Sequence, residues 1–210
     1  MEREIIKRFF IIRHGETDPN KNQIIQGSGL DAPLNEKGKT QANDFFSAYQ
    51  HIQFDSLYSS ALIRTWQSIE KFLQLPISHF PLKELNEISW GIKDGTKIDD
   101  TEQKIYQAML DGWQSGLLDM SFEKGESPNE VAKRMKLALG IIMLRDCDLN
   151  ILICIHGRAM RIFLCLLLNK PLTEMEAFFH SNLCLYILEW DGREWELVLE
   201  NDTRHLVVLT

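Results

Sequence analysis

The sequence predicts an α/β fold, and three observations predict it. Phe9-Phe10-Ile11-Ile12 is a short apolar run with no polar face, the mark of a strand buried on both sides. Asn150-Ile151-Leu152-Ile153-Cys154-Ile155 is a second run of the same kind, and Arg158-Ala159-Met160-Arg161 opens a helix just beyond it. Both runs stop abruptly on a histidine and a glycine, as Arg13-His14-Gly15 in the first and His156-Gly157 in the second. A buried strand has no packing reason to finish this way, whereas the carboxyl ends of strands in open α/β sheets are where ligands sit. At 210 residues the chain is long enough for one such domain with a sizeable core.

Composition excludes several classes of function. Hydrophobic and charged residues make up 44% and 25%, as in an ordinary globular protein. A formal net charge of -7 argues against nucleic acid or an anionic membrane as a partner. It leaves small phosphorylated molecules open, because local arginines decide binding at a pocket. Met1-Glu2-Arg3-Glu4 is charged and unlike a signal peptide. Ile151 to Leu168 is apolar but interrupted by His156, Arg158 and Arg161, so it is not expected to span a membrane. Cys147, Cys154, Cys165 and Cys184 show no C-x-x-C spacing, and three lie in apolar surroundings. They read as reduced core residues of a cytosolic protein, with no zinc site.

The elements follow in order. At the end of the first strand, Arg13 can grip a phosphate as a fork, Gly15 permits close backbone approach, and His14 is near neutral and can act as a nucleophile. Asp18-Pro19-Asn20 reads as a turn. Gly27 to Ala32 fits the dinucleotide pattern G-x-G-x-x-[GA], but Pro33 stands where a helix should open, so the glycines are read as a bend near the pocket. Asn35 is an N-cap for a helix to about Tyr49, with Ala42, Phe45, Phe46 and Tyr49 as its apolar stripe. Asp55 to Ser59 reads as a strand, followed by a helix with Arg64 in its first turns. Taken alone, Arg64 reads as a surface residue paired with Glu70. Ile77 to Phe80 reads as a further strand, and Lys97 to Leu110 has helical periodicity. Ser127, Pro128 and Glu130 form an N-cap, an N1 proline and a capping box for a helix to about Leu144. Asp191-Gly192 is the turn of a C-terminal hairpin.

Arg13-His14-Gly15-Glu16-Thr17 resembles the signature of the histidine phosphatase superfamily, the phosphoglycerate mutase-like enzymes, in which the histidine is transiently phosphorylated. Further segments resemble that family in its own order. Leu34 to Ala42 is similar to "PL-x-x-x-G-x-x-QA", and Ser59 to Ser68 to "SPL-x-RA-x-QTA". Leu85 to Gly95 is similar to "L-x-E-x-x-F-G-x-W-E-G", Gly125-Glu126-Ser127 to "GES", and Asn201 to Leu206 to "N-D-T-x-H-L". The resemblance implies a three-layer α/β/α sandwich with a mostly parallel central sheet. The strands Phe9–Arg13 and Ile151–Ile155 would be central, in a single domain 1–210 with a lid-like insertion at about 96–124. It further implies that His14 is the nucleophile. Glu87 would protonate the leaving oxygen and then activate water, and His156 would be the second pocket histidine. Arg13, Asn20, Arg64 and Gly157 would surround the phosphoryl oxygens. No metal or other cofactor is expected, because arginines and histidines supply the positive charge. The second ring nitrogen of His14 is expected to donate to a backbone carbonyl. His51, His79, His180 and His205 lie outside the motifs and are expected to have no catalytic role, although His180 precedes a segment that can reach the pocket rim.

The chain departs from the family pattern at Ala61, Trp66, Ser89, Trp90, Lys93 and Asp94, and at Ile155, where a hydroxyl residue is common. The departures beside Glu87 bear on substrate choice. The expected function is a cytoplasmic phosphomonoesterase acting on a small phosphorylated metabolite, and exposed sheet edges would allow a homodimer. One alternative is a mutase, disfavoured because the "Y-G-x-L-Q-G-L-N-K" segment of those enzymes is replaced by Trp90 to Lys97. The other is a non-catalytic phosphate-binding module, disfavoured because every reacting residue is present.

Overall fold

The computed structural model describes residues 4–206. Its centre is β1 (Lys7–Arg13), paired on one side with parallel β4 (Asn150–Ile155) and on the other with antiparallel β5 (Leu185–Trp190). Beyond β4 lie β2 (Ser56–Ser60) and the edge strand β3 (Ser78–Leu82), both parallel, and beyond β5 lies β6 (Trp195–Asp202). The order β3-β2-β4-β1-β5-β6 makes β1 and β4 the central pair, as the resemblance implied.

Alternation along β1 explains the apolar run. Phe9 and Ile11 enter one core with Tyr58, Ile151, Ile153 and Ile155, while Phe10 and Ile12 enter the other with Leu57, Leu152 and Cys154. The first core is covered by α5 (Pro128–Met143) and α6 (Gly157–Leu167), with Met109, Leu110 and Trp113 from α4 (Asp100–Gln114). Phe45 from α2 (Glu36–Tyr49) and Phe72 fill the second core, beside α3 (Ile63–Ser68). Phe9, Phe10, Ile11 and Ile12 are each at most 4% exposed. At about 1.5–3 kcal/mol for each buried side chain, these four contribute on the order of 6–12 kcal/mol.

The elements match the sequence reading closely, with boundary shifts of a few residues. Asn35 caps α2, and Ser127 with Glu130 forms the expected capping box on α5. The strand expected at Ile77 runs from Ser78 to Leu82, and the helix expected from Lys97 begins at Asp100, where Asp99 supplies the N-cap. One expectation changes in kind. Asp18-Pro19-Asn20 is the short helix α1 (Asp18–Lys21), because Thr17 and Asn20 form a second capping box around Pro19. No helix among the described residues is long and apolar enough to cross a membrane.

Candidate active site

β1 and β4 run parallel and in register, with Arg13 opposite Ile155, so His14 and His156 emerge side by side at the carboxyl end of the central strands. Their ring centroids are 5.1 Å apart. Both rings are buried, and burial together with the charges of Arg64 and Arg13 holds each well below the ordinary imidazole range. Both are therefore neutral at pH 7.

Their tautomers are opposite. His14 Nδ1 lies 2.7 Å from the carbonyl of Gly15 and must carry the proton, as expected from the sequence. Among the described residues its Nε2 has no hydrogen-bond partner, which leaves that lone pair free. His156 is the reverse. Its Nδ1 accepts from Arg64 Nε at 3.1 Å, so the proton sits on Nε2 and is donated to Ser60 Oγ at 2.7 Å. Ser60 passes its own proton to Thr65 Oγ1, 3.0 Å away, and Thr65 donates to the carbonyl of Leu62. Ser60 lies just past the strand expected from Asp55 to Ser59 and Thr65 in the helix after it, and nothing short of the folded geometry reveals their link to His156.

Arg64 is fully buried and faces inward, so pairing with Glu70 on the surface is excluded. Its guanidinium also donates to the carbonyls of Leu30 and Gly27. The glycine-rich loop is thus the wall that grips Arg64. Asp94 fixes this loop by accepting from the N–H groups of Gly27 and Gly29 at 2.7 and 3.0 Å, and burial raises its carboxyl above the usual range. Burial lowers Arg64 to about 10, which leaves it charged at pH 7.

Glu87 is 7% exposed and sits on the N-terminus of α6. Its carboxylate accepts from the backbone N–H groups of Ile88, Arg158 and Ala159 at 2.8–3.0 Å. Gly157, the first residue of this helix, was expected to serve phosphoryl oxygens. In the structure two of the helix N–H groups hold Glu87, and that of Gly157 is not used by Glu87. The segment before Glu87 is clamped from α5 by Arg134, which donates to the carbonyls of Glu84, Asn86 and Glu87 and pairs with Glu126 of the "GES" motif. Ser127 of that motif does only its capping work.

A cavity of about 160 Å³ is lined by Arg13, Asn20, Gln26, Glu87, Trp90, Tyr106, Gly157, Arg158 and His180 among others, while His14, Arg64 and His156 lie behind its lining. An outer cleft of about 420 Å³ shares Arg13, Asn20 and Ile98 with it. His180 belongs to the site after all. Its Nδ1 is 3.2 Å from Arg13 Nη1, and its ring packs so closely on Gly157 that a Cβ there would fall 2.7 Å from Cε1. No motif marks it, because the segment carrying it folds back from a distant part of the chain.

Amide orientations are fixed by the backbone. Thr17 N–H donates to Asn20 Oδ1, so the Asn20 amide nitrogen faces Gln26 Oε1, which also accepts from Thr17 Oγ1. Gln26 Nε2 is consequently buried with no partner, as is Arg13 Nε. Orphaned donors in a pocket wall are costly unless a ligand oxygen satisfies them.

A model of the histidine phosphatase superfamily (branch 1) matches residues 9–203. The chain belongs to this family. It is 26% identical over 206 residues to the probable phosphoglycerate mutase GpmB of Erwinia tasmaniensis, covering 94% of each chain. It is also 26% identical over 200 residues to phosphoserine phosphatase 1 of Hydrogenobacter thermophilus, covering 95% of this chain and 94% of that one. Among solved structures, YhfR of Bacillus stearothermophilus superposes with a TM-score of 0.83 at 25% identity, over 95% of this chain and 98% of that one.

Proposed function

We propose that this superfamily member is a phosphomonoesterase working through phosphohistidine at His14. The observation that carries the reading is the state of that ring, whose Nδ1 is locked to Gly15, so that Nε2 is the basic nitrogen, on the residue next to Arg13, which lines a pocket with Glu87. His14 Nε2 attacks phosphorus in line, the phosphorus–oxygen ester bond breaks, and Glu87 delivers a proton to the leaving oxygen. Water then attacks the phosphorus of phosphohistidine and gives a proton to Glu87, the phosphorus–Nε2 bond breaks with its electron pair returning to His14, and inorganic phosphate leaves. Arg13, Arg64, Asn20 and Gly157 stabilise the equatorial oxygens. His156 serves in this scheme chiefly by holding Arg64, since its Nδ1 is committed to that guanidinium.

Hydrolysis rather than mutase transfer requires water at phosphohistidine, and the outer cleft, which shares Arg13 and Asn20 with the cavity, is the proposed route for it. Residues 96–124 form the proposed cover, contributing Ile98 and Tyr106 to the cavity wall. The three buried free thiols suit a reducing compartment such as the cytoplasm. The test is release of inorganic phosphate from a panel of phosphomonoesters with chelator present, by wild type and His14→Ala. Release that survives the chelator and is lost in the variant supports the reading. No release from any ester, with no label trapped on His14, would remove it.

A further inference from the structure

Resting on the reading of Arg13 as a phosphoryl ligand, we infer that His180 is a positioning residue: its ring accepts from Nη1 of Arg13 and so leaves the other edge of that guanidinium, Nε with Nη2, for the phosphoryl group. His180 Nδ1 lies 3.2 Å from Arg13 Nη1. A guanidinium can only donate, so Nδ1 is the acceptor and the ring proton sits on Nε2. Among the described residues this is the only hydrogen bond that the Arg13 side chain makes, and Nε is buried without a partner. Nε and Nη2 carry parallel N–H groups, the fork that grips two oxygens at once. Arg134 uses that edge in this same chain, donating from Nε and Nη2 to the two oxygens of Glu126 at 2.8 and 2.9 Å. On Arg13 no protein carboxylate takes the edge. Glu87 lines the same cavity, but its oxygens accept from the N–H groups of Ile88, Arg158 and Ala159.

A neutral ring suits this task. A carboxylate in its place would accept through two oxygens and cancel the charge that a phosphoryl group needs. Neutral imidazole offers one lone pair and takes one N–H. Burial and the charges of Arg13, Arg161 and Arg158 hold His180 down at about 2, so the ring stays an acceptor at neutral pH.

The seat of the ring is built in advance. Glycine at position 157 makes room for it, since a Cβ there would fall 2.9 Å from His180 Nε2. Before the ring, the carbonyl of Phe179 accepts from the Tyr186 hydroxyl. After it, Asn182 Nδ2 donates to the carbonyl of His14 at 3.0 Å, and the N–H of Leu183 to the carbonyl of Arg13 at 3.0 Å. The segment is thus fastened to the same strand end whose arginine it orients.

The test separates the acceptor from the ring. His180→Phe keeps a ring over Gly157 and removes the acceptor, whereas His180→Asn removes the ring and offers Oδ1 near the place of Nδ1. Affinity for inorganic phosphate is measured by titration calorimetry, and kcat/KM on p-nitrophenyl phosphate by phosphate release. His180→Phe should lose about 10-fold to 100-fold in both, the range of a hydrogen bond to a charged group, and His180→Asn less than about 3-fold. In an Arg13→Lys background, which has no fork to orient, His180→Phe should cost less than about 2-fold. A ring that only fills space predicts the reverse order, with His180→Phe intact and His180→Asn impaired. Unchanged binding in His180→Phe, an equal loss in His180→Asn, or an undiminished loss in the Arg13→Lys background would overturn the inference. Nitrogen-detected NMR of the wild type depends on no variant folding, and should find His180 protonated on Nε2 alone at pH 7; a proton on Nδ1 overturns the inference as well. Failure of the phosphatase reading is distinct, because no ester would then be hydrolysed while phosphate affinity and the tautomer of His180 would still decide its role.

Discussion

Burying two neutral imidazoles beside two arginines makes stability depend on pH in a way that can be calculated. In the folded chain burial, Arg64 and Arg13 hold His14 and His156 well below the usual range, whereas unfolding returns each to its ordinary value of about 6.5. Above that value both states carry neutral rings and pH has no effect through them. Below it the unfolded chain takes up protons that the folded chain refuses, so stability falls as pH falls. Between about pH 7.5 and about pH 5.5 the loss for each ring is RT ln(11/1.1), about 1.4 kcal/mol, or about 2.7 kcal/mol for the pair. The structural cause is specific, since protonating His156 Nδ1 would forfeit its bond from Arg64. Urea unfolding in phosphate-free buffer, followed by fluorescence of the five tryptophans, measures the drop. The decisive comparison is with His14→Asn, whose drop should be smaller than that of wild type by about 1.4 kcal/mol, because carboxylates and the other histidines cancel in the difference. Equal drops would mean that His14 is protonated freely in the folded protein, and the neutral nucleophile would be refuted.

Glu87→Gln keeps the shape of the proton donor but cannot give up a proton. Activity on alkyl phosphates should fall by about 10²–10⁴, and much less on p-nitrophenyl phosphate, whose leaving group needs no proton. Equal losses on both would point to a binding role. Nitrogen-detected NMR of the free protein at pH 7 should find His14 protonated on Nδ1 and His156 on Nε2, and Ser60→Ala should release the second ring from its single tautomer. Two rings of the same tautomer would contradict the network. Arg64→Lys loses the fork that reaches Leu30, Gly27 and His156 together, and should cost about 3–5 kcal/mol of stability in the same urea assay. A cost below 1 kcal/mol would show that the buried fork is dispensable.

The sequence by itself determined the scaffold and the reacting pair. Runs such as Phe9–Ile12 and Ile151–Ile155 read as strands buried on both faces, and the family's motifs in order mark the polar residues at their ends as a ligand site. Capping at Asn35 and Ser127 is equally local, since each depends on groups three residues apart. Parallel pairing then brings His14 and His156 together, a placement that follows from the two strands being alike. Only the tertiary structure decided what each polar group does. Ser60 is 96 residues from His156, Arg158 lies 71 residues from Glu87, and His180 reaches Arg13 across 167 residues. Local pattern carries no information about such distances. Proton positions are still further from the sequence, because the tautomer of a histidine is set by whichever donor or acceptor folding places against it. Arg64 shows both limits. Its motif located it, but only the buried cage of Gly27, Leu30 and His156 shows that most of its hydrogen-bonding capacity holds the site together.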